Sequence, residues 1–310
     1  MKTAILFSGQ GQQFADMGTD LYQTLPAYQA TIDEANQILD WDLRVTADWL
    51  DDAERMPVAI TAMNMGLYRA LTALTDNCPT VLAGLSLGEY AALMAAGVLP
   101  FTDGLKLVAD RARYMQRAGL QHPGKMVAAL KVTPALVAAA CQSAQAVGMA
   151  YPANYNLADQ IVIGGDAAGI QAVTAYLKAQ GVKRVVPLDV AVASHTPLMA
   201  AASEALAQRL RFINVAAPQI PVISNTTVAP FSRATVKETL VKQLVSPTHF
   251  AACLQRIATY EVDEIIQVGP GHNLATFAKQ TLPGVRVWSI EDVTDWQTYC
   301  QDTKEVRERG

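Results

Sequence analysis

Cysteine is scarce and scattered in this chain of 310 residues: Cys78, Cys141, Cys253 and Cys300 stand far apart, with no C-x-x-C or C-x-x-H spacing. That pattern excludes a disulfide framework and a cysteine-based metal centre, and the four read as small buried hydrophobes. Charge is thin as well. Asp, Glu, Lys and Arg make up 17% of the residues, the net charge is −4, and no basic stripe with interleaved aromatics occurs, so a nucleic-acid partner is set aside. Long hydrophobic runs are missing too. The densest, Ala91 to Leu99, falls short of the roughly 18 residues of a membrane span, and Met1 to Phe7 meets Ser8-Gly9-Gln10 too soon to form a signal-peptide core. The expectation is a cytoplasmic protein with no membrane partner. Apolar residues, in contrast, are 51% of the chain, enough for one large core or two modest ones.

Helix and strand patterns alternate along most of the sequence. They read as a strand at Thr3 to Phe7, helices at Ala27 to Leu39 and Val58 to Leu74, and a strand ending near Leu82. A long alanine-rich helix follows from Glu89, then helices at Asp103 to Leu120 and Pro197 to Arg211, a short strand at Pro221 to Ser224, a helix, and a strand at Glu264 to Val268. Alternation of this kind predicts a parallel sheet covered on both faces. Residues 125–188 break the rhythm. There the order is strand (Met126 to Lys131), helix (Pro134 to Ala146), strands (Met149 to Tyr155, Gln160 to Ile163), helix (Ala167 to Gln180) and strand (Lys183 to Leu188), the β-α-β-β-α-β order of a ferredoxin-like unit. The expected organisation is therefore a large α/β domain, 1–124 and 191–310, interrupted by a small inserted subdomain, 125–190. The crossings fall at Gly119 to Gly124 and Val190 to Ser194, and ligands favour clefts between domains. The charged end, Lys304 to Arg309, reads as a solvated or frayed tail.

Gly84-Leu85-Ser86-Leu87-Gly88 lies where a strand gives way to a helix. A serine on so tight a turn is pushed clear of the backbone above a helix N-terminus, and small flanking residues avoid collision with the strand and helix. Ser86 is thus a candidate nucleophile. A serine hydroxyl needs a base, and the chain has only four histidines. His122 sits in a loop and reads as a surface residue; His249 follows Pro247-Thr248 at a helix start, where a solvated or capping role fits. Two candidates for the base remain. His195 lies just before a helix as the chain leaves the inserted segment, and His272, in Gly269-Pro270-Gly271-His272, follows a late strand as the base of a serine hydrolase would, with an upstream acid such as Asp263 completing a triad. The oxyanion formed on attack needs two N–H donors: the residue after the serine, Leu87, supplies one, and the glycine-rich loop Gly9-Gln10-Gly11-Gln12-Gln13 after the first strand is the place for the second. Arg111 stands among the apolar residues Leu107, Val108 and Ala112, where a guanidinium needs a partner: an ion pair with Glu89 or Asp110, or a bound carboxylate.

Taken together these segments resemble the malonyl-CoA:acyl carrier protein transacylases, the loading enzymes of bacterial fatty-acid synthesis. Phe7-Ser8-Gly9-Gln10-Gly11 resembles that family's F-P-G-Q-G opening, and Ser86-Leu87-Gly88-Glu89-Tyr90 its nucleophile motif. Arg111 stands where the family carries its carboxylate-binding arginine. Asn154-Tyr155-Asn156, Gln160-Ile161-Val162-Ile163, Val192-Ala193-Ser194-His195, Gln243-Leu244 with Pro247, and Val268-Gly269-Pro270-Gly271 follow in the family's order. The match runs end to end.

The resemblance implies an α/β-hydrolase-like domain with a ferredoxin-like insertion. It implies Ser86 as nucleophile, His195 as base, Gln10 and Leu87 as backbone oxyanion donors, Arg111 as anchor for the malonyl carboxylate, and Gln243 as the residue orienting His195 in place of a carboxylate. It further implies malonyl-CoA as donor, acyl carrier protein as acceptor, no cofactor or metal, and a monomer. One departure is Leu85, where the family usually has histidine, which bears on acyl selectivity. Carrier proteins of this kind are acidic, so a local basic patch is expected, with Lys178, Lys183, Arg184, Arg113 and Arg117 as candidates. The alternatives are a serine esterase or thioesterase using His272, an acyltransferase serving a polyketide pathway, and a binding module without catalysis.

Overall fold

In the computed structural model, residues 1–74, 78–190 and 192–309 are described, with side chains as far as residue 303; Ala191, at the second predicted crossing, lies outside the described residues. The chain divides into two compact units, one of Met1–Ala109, Val215–Ile223 and Arg256–Gly310, the other of Asp110–Asn214 and Ser224–Gln255.

The first unit is built on five parallel strands: β1 (Thr3–Phe7), β2 (Val81–Gly84), β7 (Val222–Ile223), β8 (Glu264–Val268) and β9 (Arg286–Ile290), in the order β7-β2-β1-β8-β9. β2 and β8 are buried along their whole length, as a sheet covered on both faces requires. The register sets Phe7 opposite both Gly84 and Val268, so β1, β2 and β8 end level. The loops after them, 8–13, 85–87 and 269–272, therefore leave from one carboxyl edge, where open α/β sheets bind their ligands. The helix Met56–Leu74 is apolar almost all round and is buried accordingly.

The second unit holds a four-stranded antiparallel sheet in the order β4-β5-β3-β6: β3 (Lys125–Leu130), β4 (Ala150–Leu157), β5 (Gln160–Gly165) and β6 (Arg184–Leu188). Helices Pro134–Ala144 and Ala167–Ala179 cover one face, closing a core of Val127, Ala129, Val137, Ile161, Ile163, Val173 and Leu177. Their starts are fixed by side chains: Thr133 Oγ1 accepts from Leu136 N at 3.2 Å and Asp166 Oδ1 from Gly169 N at 2.7 Å.

The sheet falls within 125–190, while the compact unit around it is wider. A distant segment joins it by strand-like pairing: Tyr155 N donates to Thr248 O at 2.8 Å and Thr248 N to Ala153 O at 2.9 Å. Arg209 pairs with Asp110 at 2.5 Å, and Ser203 Oγ donates to Val241 O at 2.8 Å, tying three further helical segments together.

Several expectations are corrected. The helix after Ser86 covers only Gly88–Ala95, because Gly97 takes a left-handed conformation (φ 74°) that ends it. The charged end is no frayed tail in its backbone, which continues the helix Val293–Arg309. Of the cysteines, Cys141 and Cys253 are buried, but Cys78 is exposed and Cys300 half-buried.

Candidate active site

Ser86 lies between β2 and the helix Gly88–Ala95 with φ at 54°, a left-handed conformation that non-glycine residues adopt only under constraint. The constraint comes from the backbone. Leu85 N donates to Phe7 O at 3.3 Å, and Gly88 N donates to Leu85 O at 2.9 Å. A Cβ at Gly84 would stand 2.2 Å from the Gly88 carbonyl carbon, and one at Gly88 would stand 2.1 Å from Phe7 O. Both glycines are therefore required by close approach of main chain, which pins the serine at the sheet's carboxyl edge.

The loop after β1 is held beside this turn. Ser8 N donates to Val268 O at 3.1 Å, Ser8 Oγ accepts from Gln267 Nε2 at 2.9 Å, and a Cβ on Gly9 would lie 2.7 Å from Leu85 O. Gln10 is exposed, its side chain turned toward Met56, whereas Leu87 is fully buried at the helix start. Among the described residues neither the Gln10 nor the Leu87 main-chain N–H donates a hydrogen bond. Both stay available to a ligand oxygen.

In the second unit, Arg111, His195 and Gln243 meet although they come from three separated stretches of sequence. His195 is 3% exposed, lies in the turn between β6 and the short helix Pro197–Met199, and has φ at 63°. Its Nδ1 lies 2.8 Å from the main-chain oxygen of Gln243. Because that oxygen can only accept, Nδ1 carries the proton and Nε2 presents a lone pair. Burial, with the Arg111 charge nearby, lowers the His195 pKa to about 4 against the pull of that hydrogen bond, so the ring is neutral at pH 7.

Arg111 is 1% exposed, and its Nη2 donates to Gln243 Oε1 over a long 3.4 Å. Asp110, one of its two expected ion-pair partners, is engaged by Arg113 and Arg209. Gln243, fully buried, thus faces both groups: its main-chain carbonyl holds His195, while its side-chain amide is directed at Arg111. Sequence reasoning could not find this division of labour, since any residue type has a carbonyl.

The hydrolase triad of His272 and Asp263 does not form. Asp263 precedes β8 and His272 follows it, so they stand beyond opposite ends of a five-residue strand about 16 Å long. Asp263 Oδ2 accepts from Lys2 N at 2.7 Å, and His272 Nε2 instead lies 2.8 Å from Glu291 Oε1. With Asp295 these make the described group whose donor types suit a metal ion, their ligand atoms within 4.8 Å of one another. His249 does not cap its helix by its side chain but stacks on Tyr155 at 5.1 Å and 5°. His122 is exposed, as read from its loop.

Comparison with known proteins agrees with the fold. The profile of the family described as acyl transferase domain matches residues 5–305. The malonyl CoA-acyl carrier protein transacylase of Escherichia coli (strain K12) is 34% identical over 283 residues, 89% of this chain and 92% of that protein. Among solved structures, MCAT from Streptococcus pneumoniae superposes with a TM-score of 0.92 at 35% identity, over 97% of this chain and 100% of that one. A malonyl-transacylase in complex with its type II PKS acyl-carrier protein gives 0.92 at 29% identity, over 97% and 100%.

Proposed function

The chain belongs to the acyl transferase domain family, and we propose that it moves the malonyl group of malonyl-CoA to the phosphopantetheine thiol of an acyl carrier protein through a malonyl ester on Ser86. The observation that carries this reading is the buried trio in the second unit: a neutral histidine whose Nε2 is free of the proton, locked by the same residue that faces a buried arginine. The histidine suits a general base and the arginine suits a free carboxylate, which malonyl has and acetyl lacks.

In the proposed first half-reaction Ser86 gives its proton to His195 Nε2 as Oγ attacks the thioester carbonyl. The N–H groups of Gln10 and Leu87 take the oxyanion, a contribution of about 3–4 kcal/mol per donor in comparable sites. The tetrahedral intermediate collapses, CoA leaves with the proton from His195, and the serine ester remains. The carrier thiol then enters and the same steps run in reverse. Thioester and oxygen ester are close in energy, so the exchange calls for no cofactor or metal. Among the described residues no helix is long and apolar enough to cross a membrane, and a cytoplasmic monomer is the setting proposed.

Intact-protein mass spectrometry tests the reading. Brief incubation with malonyl-CoA is expected to add one malonyl group, absent in Ser86→Ala, which holo acyl carrier protein then removes. No adduct, or one lost to water as fast as to carrier, would return the chain to the hydrolase or binding-module alternatives. Whether the carrier serves fatty-acid or polyketide synthesis is read by chasing the adduct with a carrier of each kind.

A further inference from the structure

The Ser86 turn is held by main chain, whereas the loop beside it, which carries the proposed oxyanion donor Gln10, is tied down by side chains. Gln10 is exposed and stands between Gly9 and Gly11, which give its backbone little stiffness of their own. A preorganised donor must be fixed before charge develops. The fixing is done at Ser8, where every polar group is engaged: N donates to Val268 O at 3.1 Å, O accepts from Asn64 Nδ2 at 2.9 Å, and Oγ accepts from Gln267 Nε2 at 2.9 Å. Gln267, in β8, is 1% exposed and fully satisfied. Its Nε2 donates also to Gly271 O at 2.5 Å, and its Oε1 accepts from Ala275 N at 2.7 Å. One buried amide thus joins the loop after β1, the loop after β8 and the first turn of the helix Asn273–Thr281. In the F-P-G-Q-G pattern a proline stands at the position of Ser8, and it would neither donate to Val268 O nor offer a hydroxyl, so the tie to Gln267 depends on the serine this chain has in its place.

We propose that Gln267 is a positioning residue for the oxyanion loop: through Ser8 it fixes the loop from which the Gln10 N–H is to meet the thioester oxygen. The proposal rests on the acyl-transfer reading and adds to it the residue that holds one of its oxyanion donors. That donor acts on a carbonyl every acyl thioester shares. Loosening it should therefore cost rate without changing acyl preference, the opposite of what loss of Arg111 is expected to do.

Quenched-flow intact-protein mass spectrometry tests it, with malonyl-CoA and separately acetyl-CoA as donor. It reads both the rate constant for acylation of Ser86 and the fraction of chains that become acylated, in the wild type, Ser8→Ala, Gln267→Met and the double variant. Ser8→Ala, which removes the acceptor and leaves the main-chain bonds of residue 8, is expected to slow acylation roughly 5–10-fold. Gln267→Met, which keeps the length and loses all three bonds, is expected to slow it about 10–100-fold, in line with one oxyanion donor out of place. Because the two act through one hydrogen bond, the double variant should lie within about twofold of Gln267→Met. The acylated fraction should stay at the wild-type level, and malonyl and acetyl transfer should slow by the same factor. A smaller acylated fraction with an unchanged rate constant would be mere loss of folded protein and would overturn the inference. So would a Ser8→Ala rate within about twofold of wild type, losses that multiply in the double variant, or a changed malonyl-to-acetyl ratio. Should Gln267→Met not fold, Ser8→Ala decides alone. A wild type that takes no acyl group on Ser86 would instead overturn the reading beneath the proposal.

Discussion

Ser86 in the first unit and His195 in the second both have positive φ, 54° and 63°, yet they are held there by different means. Around Ser86 the restraint is main chain against main chain, made possible by the missing side chains of Gly84, Gly88 and Gly9. Around His195 it is polar and made by functional groups: the Gln243 carbonyl on Nδ1, and Thr196 Oγ1 donating to Ala193 O at 2.7 Å. The proposed nucleophile needs only to be pointed, whereas the proposed base must be both pointed and kept in one protonation state. The first unit should therefore break when a methyl group is added, and the second when a polar group is removed or a proton supplied.

The sharpest break expected is Gly88→Ala. The new Cβ would sit 2.1 Å from Phe7 O, backbone that cannot move aside without shifting β1. A loss of about 3 kcal/mol or more in folding stability is expected, roughly a hundredfold or greater shift in the folding equilibrium. Urea denaturation checks it; a loss under 1 kcal/mol would mean the turn is looser than its contacts imply. Arg111→Ala probes the other unit by deletion. Malonyl transfer should fall about 100-fold, the worth of a charge-assisted bidentate pair, while acetyl transfer is spared or improved. Equal loss of both activities in steady-state assays would remove the anchor role.

Protonation separates the units next. His195 is held at about 4 by burial first and by Arg111 second, below the unfolded value near 6.5. The unfolded chain therefore binds the extra proton first as pH falls. The stability linked to this residue is complete above pH 6.5 and is lost progressively down to about 4. Malonyl transfer from CoA to Ser86 should stay level from pH 7 to about 5 and fall below that, where an ordinary histidine would already fail near 6.5. A limb at 6.5 in the pH profile of kcat/KM would show that His195 is either more exposed to water or not the base.

The same contrast explains what the sequence disclosed. A turn built from absent side chains leaves a local signature, so Gly84-Leu85-Ser86-Leu87-Gly88 was legible within five letters, and the parallel and antiparallel sheets followed from period and order. Elements toward the end of the chain were harder. β9 carries partly exposed residues beside its buried Ile290, so it has no continuous apolar run to announce it. The trio of Arg111, His195 and Gln243 has no spacing at all, since 132 residues separate Arg111 from Gln243. Their roles entered through resemblance. The structure adds that the Gln243 main-chain oxygen lies against His195 Nδ1 while its side-chain amide faces Arg111. Asp263 was proposed for a triad because it lies just upstream of His272, a neighbourhood in sequence that a strand converts into distance.

The weakest effect concerns docking, and it tests whether the second unit carries recognition as well as the proposed base. Arg113 is a poor candidate, being paired with Asp110 and set 5.7 Å from the Tyr114 ring. Lys178, Lys183 and Arg184 are exposed and have no ion pair among the described residues, and Lys178 with Lys125 borders a groove of about 590 Å³ that includes Ile170, Thr174 and Leu188. Reversing the first three charges to glutamate should raise KM for an acidic carrier protein roughly 3–10-fold at low salt, with the difference shrinking as ionic strength rises. KM for malonyl-CoA should be unaffected, because in the proposed function the acyl end is read by Arg111 and not by these surface charges. A parallel rise for malonyl-CoA would mean that the three cations meet the phosphates of CoA. No rise for either would mean that the antiparallel unit supplies the proposed base and anchor alone, and that the carrier is recognised elsewhere.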